Sequence, residues 1–245
     1  MKELHLTLTE KQHRFVSADT LEVLFGGAAG GGKSYGQVAD ALLFALRYPR
    51  SRQLMLRRSF AELDKSLIRT ALSLFPRSLF SFHSSTHVGR FVNGSVIDFG
   101  YCATETDVYQ YQSAEYDVIR FDELTHFTEG QYVYLLSRVR GTNGYPKQIK
   151  STTNPGGIGH AWVKARFIDP APQGEVFEVG TASRLYIPAR IDEIYFFLGT
   201  SDSSVQPLEV IYRQLFLPER IINEHATPLS SLRLMSSNSI GIFQL

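Results

Sequence analysis

The sequence contains a single cysteine, Cys102, among its 245 residues. This excludes an internal disulfide, and it also excludes a metal site built on a cluster of cysteines. The chain has no apolar run long enough to cross a membrane, and residues 1–5 show no apolar signal region. From these absences we expect a cytoplasmic protein without membrane contact.

An excess of charge of either sign is also missing, because 25 basic residues stand against 24 acidic ones. Net charge therefore neither requires nor excludes a nucleic-acid partner, since a local basic stripe can exist on a neutral protein. The apolar content of 43% is ordinary for a globular core. The length suits one large domain, or one domain with a small appendage.

What the sequence does contain is a phosphate-binding loop. Residues 27–34 read GAAGGGKS, which fits the pattern G-x-x-x-x-G-K-[ST] of nucleotide hydrolases. A strand candidate at residues 21–25 precedes the loop, and a helix candidate at residues 35–47 follows it. A flexible glycine linker would fit the glycines but does not require this strand–loop–helix context. The chain is therefore predicted to bind ATP or another nucleoside triphosphate.

Each residue type in the loop has a role at a phosphate site. The glycines allow a tight turn whose N–H groups face inward, and the helix amino terminus adds positive potential. Lys33 is predicted to reach the β- and γ-phosphates, and the Ser34 hydroxyl to hold Mg²⁺. The predicted nucleotide-binding loop comprises Gly27, Ala28, Ala29, Gly30, Gly31, Gly32, Lys33, Ser34 and Tyr35.

A second motif of nucleotide hydrolases lies at residues 116–123, where an apolar strand ends in Asp122 and Glu123. Asp122 is predicted to belong to the magnesium shell, and Glu123 to orient and deprotonate the attacking water. An Asp-Glu pair after a strand is by itself more often a helix cap, but its combination with the phosphate loop favours catalysis. Arg120 is unusual in a central parallel strand, which is normally apolar. It suggests that this strand has one accessible face.

Two further polar positions are candidates for nucleotide contacts. The strand candidate at residues 148–152 leads into Thr153 and Asn154, and such a tip lies beside the γ-phosphate in parallel-sheet nucleotide hydrolases. A simple Asn-Pro turn explains the same residues without a function. Before the phosphate loop, the amide of Gln12 could contact adenine in a bidentate manner. Composition alone favours a solvated helix residue at that position.

Three arginine positions are candidates for stabilising transition-state charge, namely Arg57-Arg58, Arg138 and Arg140. An arginine presented to the γ-phosphate can raise the rate by several orders of magnitude, although most surface arginines have no such role. Arg138 and Arg140 are the first choice, because they follow the helix after the Asp-Glu pair. Arg57 is the second choice, because it ends a strand of the same sheet.

Strand and helix candidates alternate along the chain, which favours a mainly parallel sheet covered by helices. The predicted fold is a three-layer α/β fold of the P-loop NTPase class (RecA-like, ASCE). Its other predicted elements are a strand at 53–56, a helix at 60–75, a hairpin at 88–99 around Asn93-Gly94, a helix at 128–138 with a Thr128–Gln131 capping box, and a short helix at 160–167.

The ordered set of motifs resembles the large terminase subunits of tailed bacteriophages, the ATP-driven motors that package double-stranded DNA. The resemblance spans roughly residues 8–190 and rests on residues 25–34, 56–58, 121–127, 136–140, 152–157, 160–164 and 186–189. It implies Mg²⁺-dependent ATP hydrolysis that drives viral DNA into a procapsid, with adenine sensed by Gln12. It assigns Thr152, Thr153 and Asn154 to the segment that couples hydrolysis to movement.

The resemblance also implies partners. These are double-stranded DNA, a portal protein, a small terminase subunit and further copies of the chain in an active ring. In such a ring, Arg138 or Arg140 is expected to complete the site of a neighbouring subunit. The location expected is the bacterial host cytoplasm, with transient docking on the viral procapsid. DNA binding is expected to be weak and independent of sequence, through scattered lysines and arginines.

The family pattern stops near Arg190. Family members usually continue into an Asp-Asn-Pro element, a further helical region and a nuclease domain of the ribonuclease H type, whereas residues 190–194 read RIDEI. Residues 1–190 are therefore predicted to form the ATPase domain. Residues 191–245 are predicted to be a divergent tail, from a truncated or frame-shifted gene, with few buried contacts and no nuclease activity.

Two alternatives to a packaging motor stay open. A helicase-like or recombinase-like ATPase is disfavoured by the segments DELTHF at 122–127 and NPGG at 154–157. A prophage remnant that binds nucleotide or a partner without turnover is favoured by the divergent tail. The intact Lys33, Asp122 and Glu123 favour catalysis.

Overall fold

The computed structural model of the chain describes residues 2–28, 30–189, 208–214, 231–236 and 239–243, with side chains described within residues 4–189. In chain order the strands are β1 (Lys2–Leu8), β2 (Glu22–Gly27), β3 (Arg52–Arg57), β4 (Phe80–His83), β5 (Val88–Phe91), β6 (Val96–Tyr101), β7 (Val118–Phe121), β8 (Gln148–Thr153), β9 (Val176–Val179), β10 (Ala182–Ala189), β11 (Leu208–Gln214), β12 (Ser231–Ser236) and β13 (Ser239–Phe243).

Six α-helices lie between these strands. They are α1 (Glu10–Ser17), α2 (Lys33–Arg47), α3 (Phe60–Leu63), α4 (Arg69–Leu74), α5 (Glu129–Leu136) and α6 (His160–Val163). A π-helical turn (Asp64–Ile68) joins α3 to α4, and another (Lys164–Ile168) extends α6. Short 3₁₀ helices occupy Glu105–Tyr111 and Leu124–His126. Within the described part of the chain, no helix has the length and apolar character to cross a membrane.

The central sheet has nine strands in the order β4-β5-β6-β3-β7-β8-β2-β10-β9. The six strands from β6 to β10 run parallel, and antiparallel partners close both ends of the sheet. This confirms the predicted α/β fold with a mainly parallel sheet. Strand β1 instead pairs antiparallel with β11, in a second sheet of order β1-β11-β12-β13.

Local patterns place the elements that flank the two motifs. Strands β2, β3, β7 and β8 and helix α2 form where they are predicted, and β5 and β6 form the predicted hairpin. The capping box that begins α5 is also confirmed, since Thr128 Oγ1 accepts from Gln131 N at 3.2 Å and Gln131 Oε1 accepts from Thr128 N at 3.1 Å. The predicted single helix at 60–75 is interrupted by the π-helical turn.

Apolar layers cover both faces of the sheet. Helices α1, α2 and α4 cover one face with residues such as Leu42 and Phe75, while α5, α6 and a 3₁₀ helix cover the other with residues such as Tyr132 and Phe167. The parallel strands begin at one edge, called here the amino edge, and end at the opposite carboxyl edge. The phosphate loop and the Asp-Glu pair both lie at the carboxyl edge, where ligands bind in open α/β sheets.

Arg120 is fully buried beneath α2, so the prediction that its strand has an accessible face is wrong. Its Nε and Nη2 donate to Asp40 Oδ2 at 3.0 and 2.6 Å. Lys150 Nζ donates to Asp40 Oδ1 at 2.8 Å and to the carbonyls of Phe15 and Val16 at 3.0 Å each. A carboxylate on the covering helix, and not solvent, therefore accommodates the arginine in a central strand.

Candidate functional site

The phosphate loop is held between β2 and the end of β10. Gly27, Gly30 and Gly32 have φ angles of 133, 83 and 64°, in the region that favours glycine. A Cβ added at Gly27 would lie 2.1 Å from the carbonyl oxygen of Ala189, and that same oxygen accepts a hydrogen bond from Ala28 N at 3.0 Å. The end of β10 therefore clamps the loop at its first residues.

Lys33 begins α2 and is 6% exposed. Its Nζ donates to the carbonyl oxygen of Ala28 at 2.5 Å, so the side chain folds back over the loop. Burial lowers the pKa of Lys33, and the nearby carboxylates of Glu123 and Asp122 partly oppose this effect. The ammonium group is thus weakly solvated and faces the space that phosphates occupy in such loops.

The other predicted loop residues fall into two groups. Gly31 lies against Ala189, since a Cβ added at Gly31 would be 3.6 Å from Ala189 Cβ. Tyr35 lies on α2 and packs on the apolar cluster beneath that helix, away from the Gly-rich turn itself. Ala29 lies outside the described residues.

Asp122 is the point at which three elements meet. Its Oδ1 accepts from Ser34 Oγ at 3.0 Å and from Thr152 Oγ1 at 2.6 Å. Its Oδ2 accepts from Arg57 Nη1 at 2.7 Å. The carboxylate is 1% exposed, and these partners compensate the burial of its charge. The structure therefore brings together the two predicted metal ligands, Ser34 and Asp122.

The oxygen atoms at this point suit Mg²⁺. The residues described include no cluster of three or more His, Cys, Asp or Glu side chains that could hold a metal alone. Mg²⁺ is usually bound by one or two protein oxygen ligands together with nucleotide phosphates and water. A carboxylate beside a serine hydroxyl at the start of the phosphate-loop helix fits that arrangement.

Glu123 adopts a left-handed backbone conformation, with φ 59° and ψ 58°. Such a conformation is unfavourable for a residue other than glycine and clusters at functional sites. Its Oε2 accepts from Asn154 N at 3.0 Å, and its Oε1 accepts from Asn154 Nδ2 at 2.5 Å. The predicted base is therefore bound to a predicted coupling residue through both carboxylate oxygens.

The remaining coupling candidates contact the loop that follows Glu123. Thr153 Oγ1 donates to Thr125 Oγ1 at 3.0 Å and accepts from Thr125 N at 3.2 Å. Thr125 Oγ1 in turn donates to the Asn154 carbonyl at 3.0 Å. The end of β8 and the segment after β7 are thus joined by side-chain hydrogen bonds.

Gln12 lies on α1 and is fully buried, so the interpretation of a solvated residue is wrong. Its Nε2 donates to the Gly32 carbonyl at 2.8 Å, and its Oε1 accepts from Thr9 N at 2.9 Å in a capping box. A Cβ added at Gly36 would approach Gln12 Cγ to 3.0 Å. Gln12 therefore packs directly on the phosphate loop, and its contact with adenine stays a prediction.

The arginine candidates separate into two places. Arg57 contacts Asp122 at the carboxyl edge, and Arg58 Nη1 donates to Gln131 Oε1 at 3.2 Å beside it. Arg138 and Arg140 lie on either side of Val139, which forms a parallel bridge with Tyr116. Tyr116 lies two positions before β7. From there the strand runs to Asp122, and six residues at about 3.3 Å each give a separation of about 20 Å. Arg138 and Arg140 therefore cannot reach the site of their own subunit.

A buried cluster around Glu22 was not predicted from the sequence. Glu22 accepts from Tyr132 Oη at 2.6 Å, from Arg166 Nε at 2.8 Å and from Arg184 Nε at 2.9 Å. Burial raises the pKa of Glu22, but the hydrogen bonds from Arg166, Tyr132 and Arg184 outweigh it and hold the pKa below its ordinary value. The cluster joins β2 to the helical segment after Asn154, on the face opposite α2.

A model of the family described as phage terminase large subunit matches residues 18–223. The match passes residue 190, near which the divergent tail is predicted to begin. Residues 190–207, 215–230, 237–238 and 244–245 lie outside the described residues, and the prediction that the tail makes few buried contacts stays a prediction. No curated protein sequence matches the chain.

Solved structures of large terminases share the fold. The large terminase of a thermophilic bacteriophage gives a TM-score of 0.62 at 15% identity, over 80% of this chain and 48% of that one. The same terminase in complex with ATP-γ-S gives 0.58 at 16% identity, over 80% and 47%. The ATPase domain of the Thermus phage P74-26 large terminase gives 0.51 at 13%, over 79% and 89%. The chain thus spans about half the length of the first of these terminases.

Proposed function

Because this chain belongs to the family of phage terminase large subunits, we propose that it hydrolyses ATP to translocate double-stranded viral DNA into a procapsid. One observation carries the proposal. The hydroxyl of Ser34 at the start of α2 and that of Thr152 at the end of β8 both donate to Asp122 Oδ1, at 3.0 and 2.6 Å. Phosphate loop, Asp-Glu motif and coupling strand therefore share one carboxylate.

Nucleotide binding is assigned to the loop and the start of α2. Lys33 is weakly solvated, so its charge interacts strongly with the β- and γ-phosphates, and the amino terminus of α2 adds positive potential. Ser34 and Asp122 would hold Mg²⁺. When bound, Mg²⁺ neutralises charge on the β- and γ-phosphates.

Water activation is assigned to Glu123. Both oxygens of Glu123 accept from Asn154, and each keeps a second lone pair that can accept from a water. Glu123 can therefore bind the attacking water while it holds Asn154 at the end of β8. Because Asn154 is also joined to Thr125 and Thr153, a change in the hydrogen bonding of Glu123 would reach the end of β8, which supports a role for Asn154 in coupling.

We assign completion of the site to a second subunit. Arg138 and Arg140 lie about 20 Å from their own Asp122 along β7, so a role for either at the γ-phosphate would require a neighbouring copy, as in a homo-oligomeric ring. Portal protein and small terminase subunit are proposed partners on the strength of family membership.

Two variants test the hydrolytic site. Lys33→Ala should weaken binding of a fluorescent ATP analogue, because the positive charge that attracts the phosphates is removed. Glu123→Gln should bind as the wild type does but lower phosphate release by about 100-fold or more, because only water activation is removed. The matched control is Glu129→Gln, the same change at an exposed position on α5, which should keep wild-type turnover.

Wild-type phosphate release from Glu123→Gln would contradict the assignment. A wild-type chain that binds the analogue and releases no phosphate, alone or with DNA, would identify a nucleotide-binding remnant without turnover. Supply of an arginine by a neighbouring subunit is tested by mixing Arg140→Ala with Glu123→Gln subunits. In the mixture, the intact Glu123 of an Arg140→Ala subunit can face the intact Arg140 of a Glu123→Gln subunit. If neither this mixture nor the Arg138→Ala mixture regains activity, supply from these positions is wrong.

A further inference from the structure

Acidic residues are absent from two long segments of the sequence. None lies between Asp40 and Glu62, and none lies between Asp64 and Asp98. Although the chain as a whole is nearly neutral, these segments carry only positive charge. Four arginines of the segments, Arg47, Arg50, Arg52 and Arg77, lie at the ends of elements that meet at the amino edge of the central sheet.

The topology groups these arginines on one surface. Arg47 ends α2, Arg52 begins β3, and Arg50 lies between them against the turn joining β5 to β6. Arg77 lies in the turn before β4. This turn is joined to the β5–β6 turn by a hydrogen bond from Val92 N to Leu79 O at 3.0 Å. From β4 to β7 there are four strand spacings of about 4.8 Å, so the surface is about 19 Å wide.

Arg52 extends the surface to the β7 side, because its guanidinium lies 5.8 Å from the centre of the Tyr116 ring. Arg47, Arg50, Arg52 and Arg77 are called here the amino-edge surface. Arg138, whose carbonyl accepts from Tyr116 N at 3.0 Å, does not belong to it, because its guanidinium already donates to Ser137 Oγ and to the Gln112 carbonyl.

Two carboxylates near this edge are paired with other cations. Glu115 pairs with Arg140 at 3.2 Å, and the buried Asp117 pairs with Lys147 at 2.9 Å. A third, Asp98, accepts from Tyr116 Oη at 3.0 Å. Among the residues whose side chains the structure describes, no carboxylate forms an ion pair with any arginine of the amino-edge surface. Four positive charges therefore lie together without an ion pair to a carboxylate in this part of the chain.

Tyrosine rings lie beside two of these arginines. Arg47 Cζ lies 5.4 Å from the centre of the Tyr48 ring, and Arg52 Cζ lies 5.8 Å from the centre of the Tyr116 ring. A guanidinium stacked on a ring keeps its edge free for a bidentate hydrogen bond to phosphate. Such contacts position a nucleic acid without reading its bases.

We propose that the amino-edge surface binds the phosphate backbone of duplex DNA. The identity of the ligand rests on the proposed function, whereas the location rests on the arginines themselves. A width of about 19 Å is enough to reach both strands across a minor groove of about 6 Å. DNA and nucleotide then occupy opposite edges of the sheet, and β7 and β8 run from one edge to the other.

The test measures how the affinity for DNA depends on salt. Each phosphate contact contributes about −0.9 to the slope of log affinity against log salt concentration. The double variant Arg50→Asn/Arg77→Gln should therefore reduce the magnitude of that slope by about 1.8. When the salt concentration is raised from 50 to 200 mM, the DNA affinity of this variant should therefore fall by a factor about 12 times smaller than the affinity of the wild type does. Asparagine is chosen at residue 50 because Arg50 has a φ of 61°, which asparagine tolerates.

The measurement is fluorescence anisotropy of the full chain with a labelled duplex of mixed sequence, at several salt concentrations. The control Arg69→Gln/Lys164→Gln removes the same charge from exposed residues elsewhere on the surface, each of which is paired with an aspartate. It should leave the slope unchanged. Urea unfolding followed by the fluorescence of Trp162, compared with the wild type, reports whether the double variant is folded and is independent of both ATP turnover and DNA binding.

A second pair, Arg47→Gln/Arg52→Gln, should give the same reduction in slope, and it replaces the first pair if that one does not fold. The inference is overturned if the wild type fails to bind duplex DNA at 50 mM salt. It is also overturned if the slope is unchanged in a folded variant, or if the control changes it equally. If the wild type hydrolyses no ATP but the salt slopes are as expected, the proposed function is refuted. The assignment of the DNA-binding surface then still holds.

Discussion

Replacing Asp40 with asparagine should lower the free energy of unfolding by about 3–5 kcal/mol, because it leaves two buried cations without a counter-charge. The Asp40, Arg120 and Lys150 side chains are 4, 0 and 2% exposed. One carboxylate serves both cations, through contacts of 2.6 Å from Arg120 Nη2 and 2.8 Å from Lys150 Nζ. Asparagine keeps the shape of the side chain, removes the charge and replaces one acceptor oxygen by an NH₂ donor.

Lys150→Met should cost less than Asp40→Asn, because Arg120 and Asp40 then remain as a balanced pair. The change removes donors from the carbonyls of Phe15 and Val16, and an unsatisfied buried acceptor costs about 1–3 kcal/mol. Removing an unmatched buried cation offsets part of that cost. The order of the two effects follows from charge balance and not from the number of hydrogen bonds lost.

Urea unfolding followed by the fluorescence of Trp162, the single tryptophan, measures both effects. Asp64→Asn is the matched control, because Asp64 is 47% exposed and its pair with Arg69 is 3.8 Å long. Such a surface pair contributes about 0–1 kcal/mol. The reasoning is refuted if Asp40→Asn costs no more than Asp64→Asn, or if Lys150→Met costs more than Asp40→Asn.

Three further outcomes are expected. Burial lowers the pKa of Lys150, so the unfolded chain binds more protons than the folded chain as the pH approaches about 10.4. Wild-type stability relative to Lys150→Met should therefore rise as the pH is raised towards that value, as measured by urea unfolding. Tyr132→Phe should cost about 1–3 kcal/mol by depriving the buried Glu22 of a donor, whereas Tyr134→Phe should stay within about 0.5 kcal/mol. Gly27→Ala should weaken binding of an ATP analogue by about 5-fold or more in a titration, because strain of about 1–3 kcal/mol falls on the phosphate loop.

The sequence predicts those parts of the site that consist of short motifs of neighbouring residues. The glycines and Lys33 of the phosphate loop, and the Asp122–Glu123 pair after an apolar strand, each lie within a few residues and have a fixed chemical role. Because the carboxyl ends of parallel strands lie at one edge of a sheet, the placement of Ser34 and Asp122 at the same edge was predictable. The capping box Thr9-x-x-Gln12 is also a local pattern, and it supports the helix on which Gln12 was predicted to lie.

The remaining parts depend on contacts between distant residues. Glu22 meets Tyr132 and Arg184 across 110 and 162 positions, and no local pattern encodes such a pair. Strand β10 was missed because Arg184 and Pro188 make its sequence atypical for a buried parallel strand. Arg120 was misinterpreted for a related reason, since its counter-charge lies on α2 and not on a neighbouring strand.

Buried polar side chains fix the position of α2 along the sheet. Ser34, Gln37 and Asp40 are spaced three residues apart, on one side of the helix. Ser34 donates to Asp122, Gln37 Nε2 donates to the carbonyls of Phe121 and Lys150 at 2.9 and 3.1 Å, and Asp40 accepts from Arg120 and Lys150.

An apolar interface would tolerate sliding of this helix, whereas each of these contacts is lost if it shifts by one residue. The cluster around Asp40 therefore keeps Ser34 opposite Asp122, about two helical turns away. It follows that Asp40→Asn should lose Mg²⁺-dependent nucleotide affinity together with stability. Tyr132→Phe, on the opposite face of the sheet, should lose stability alone, and equal losses of affinity in the two variants would show that Asp40 has no positioning role.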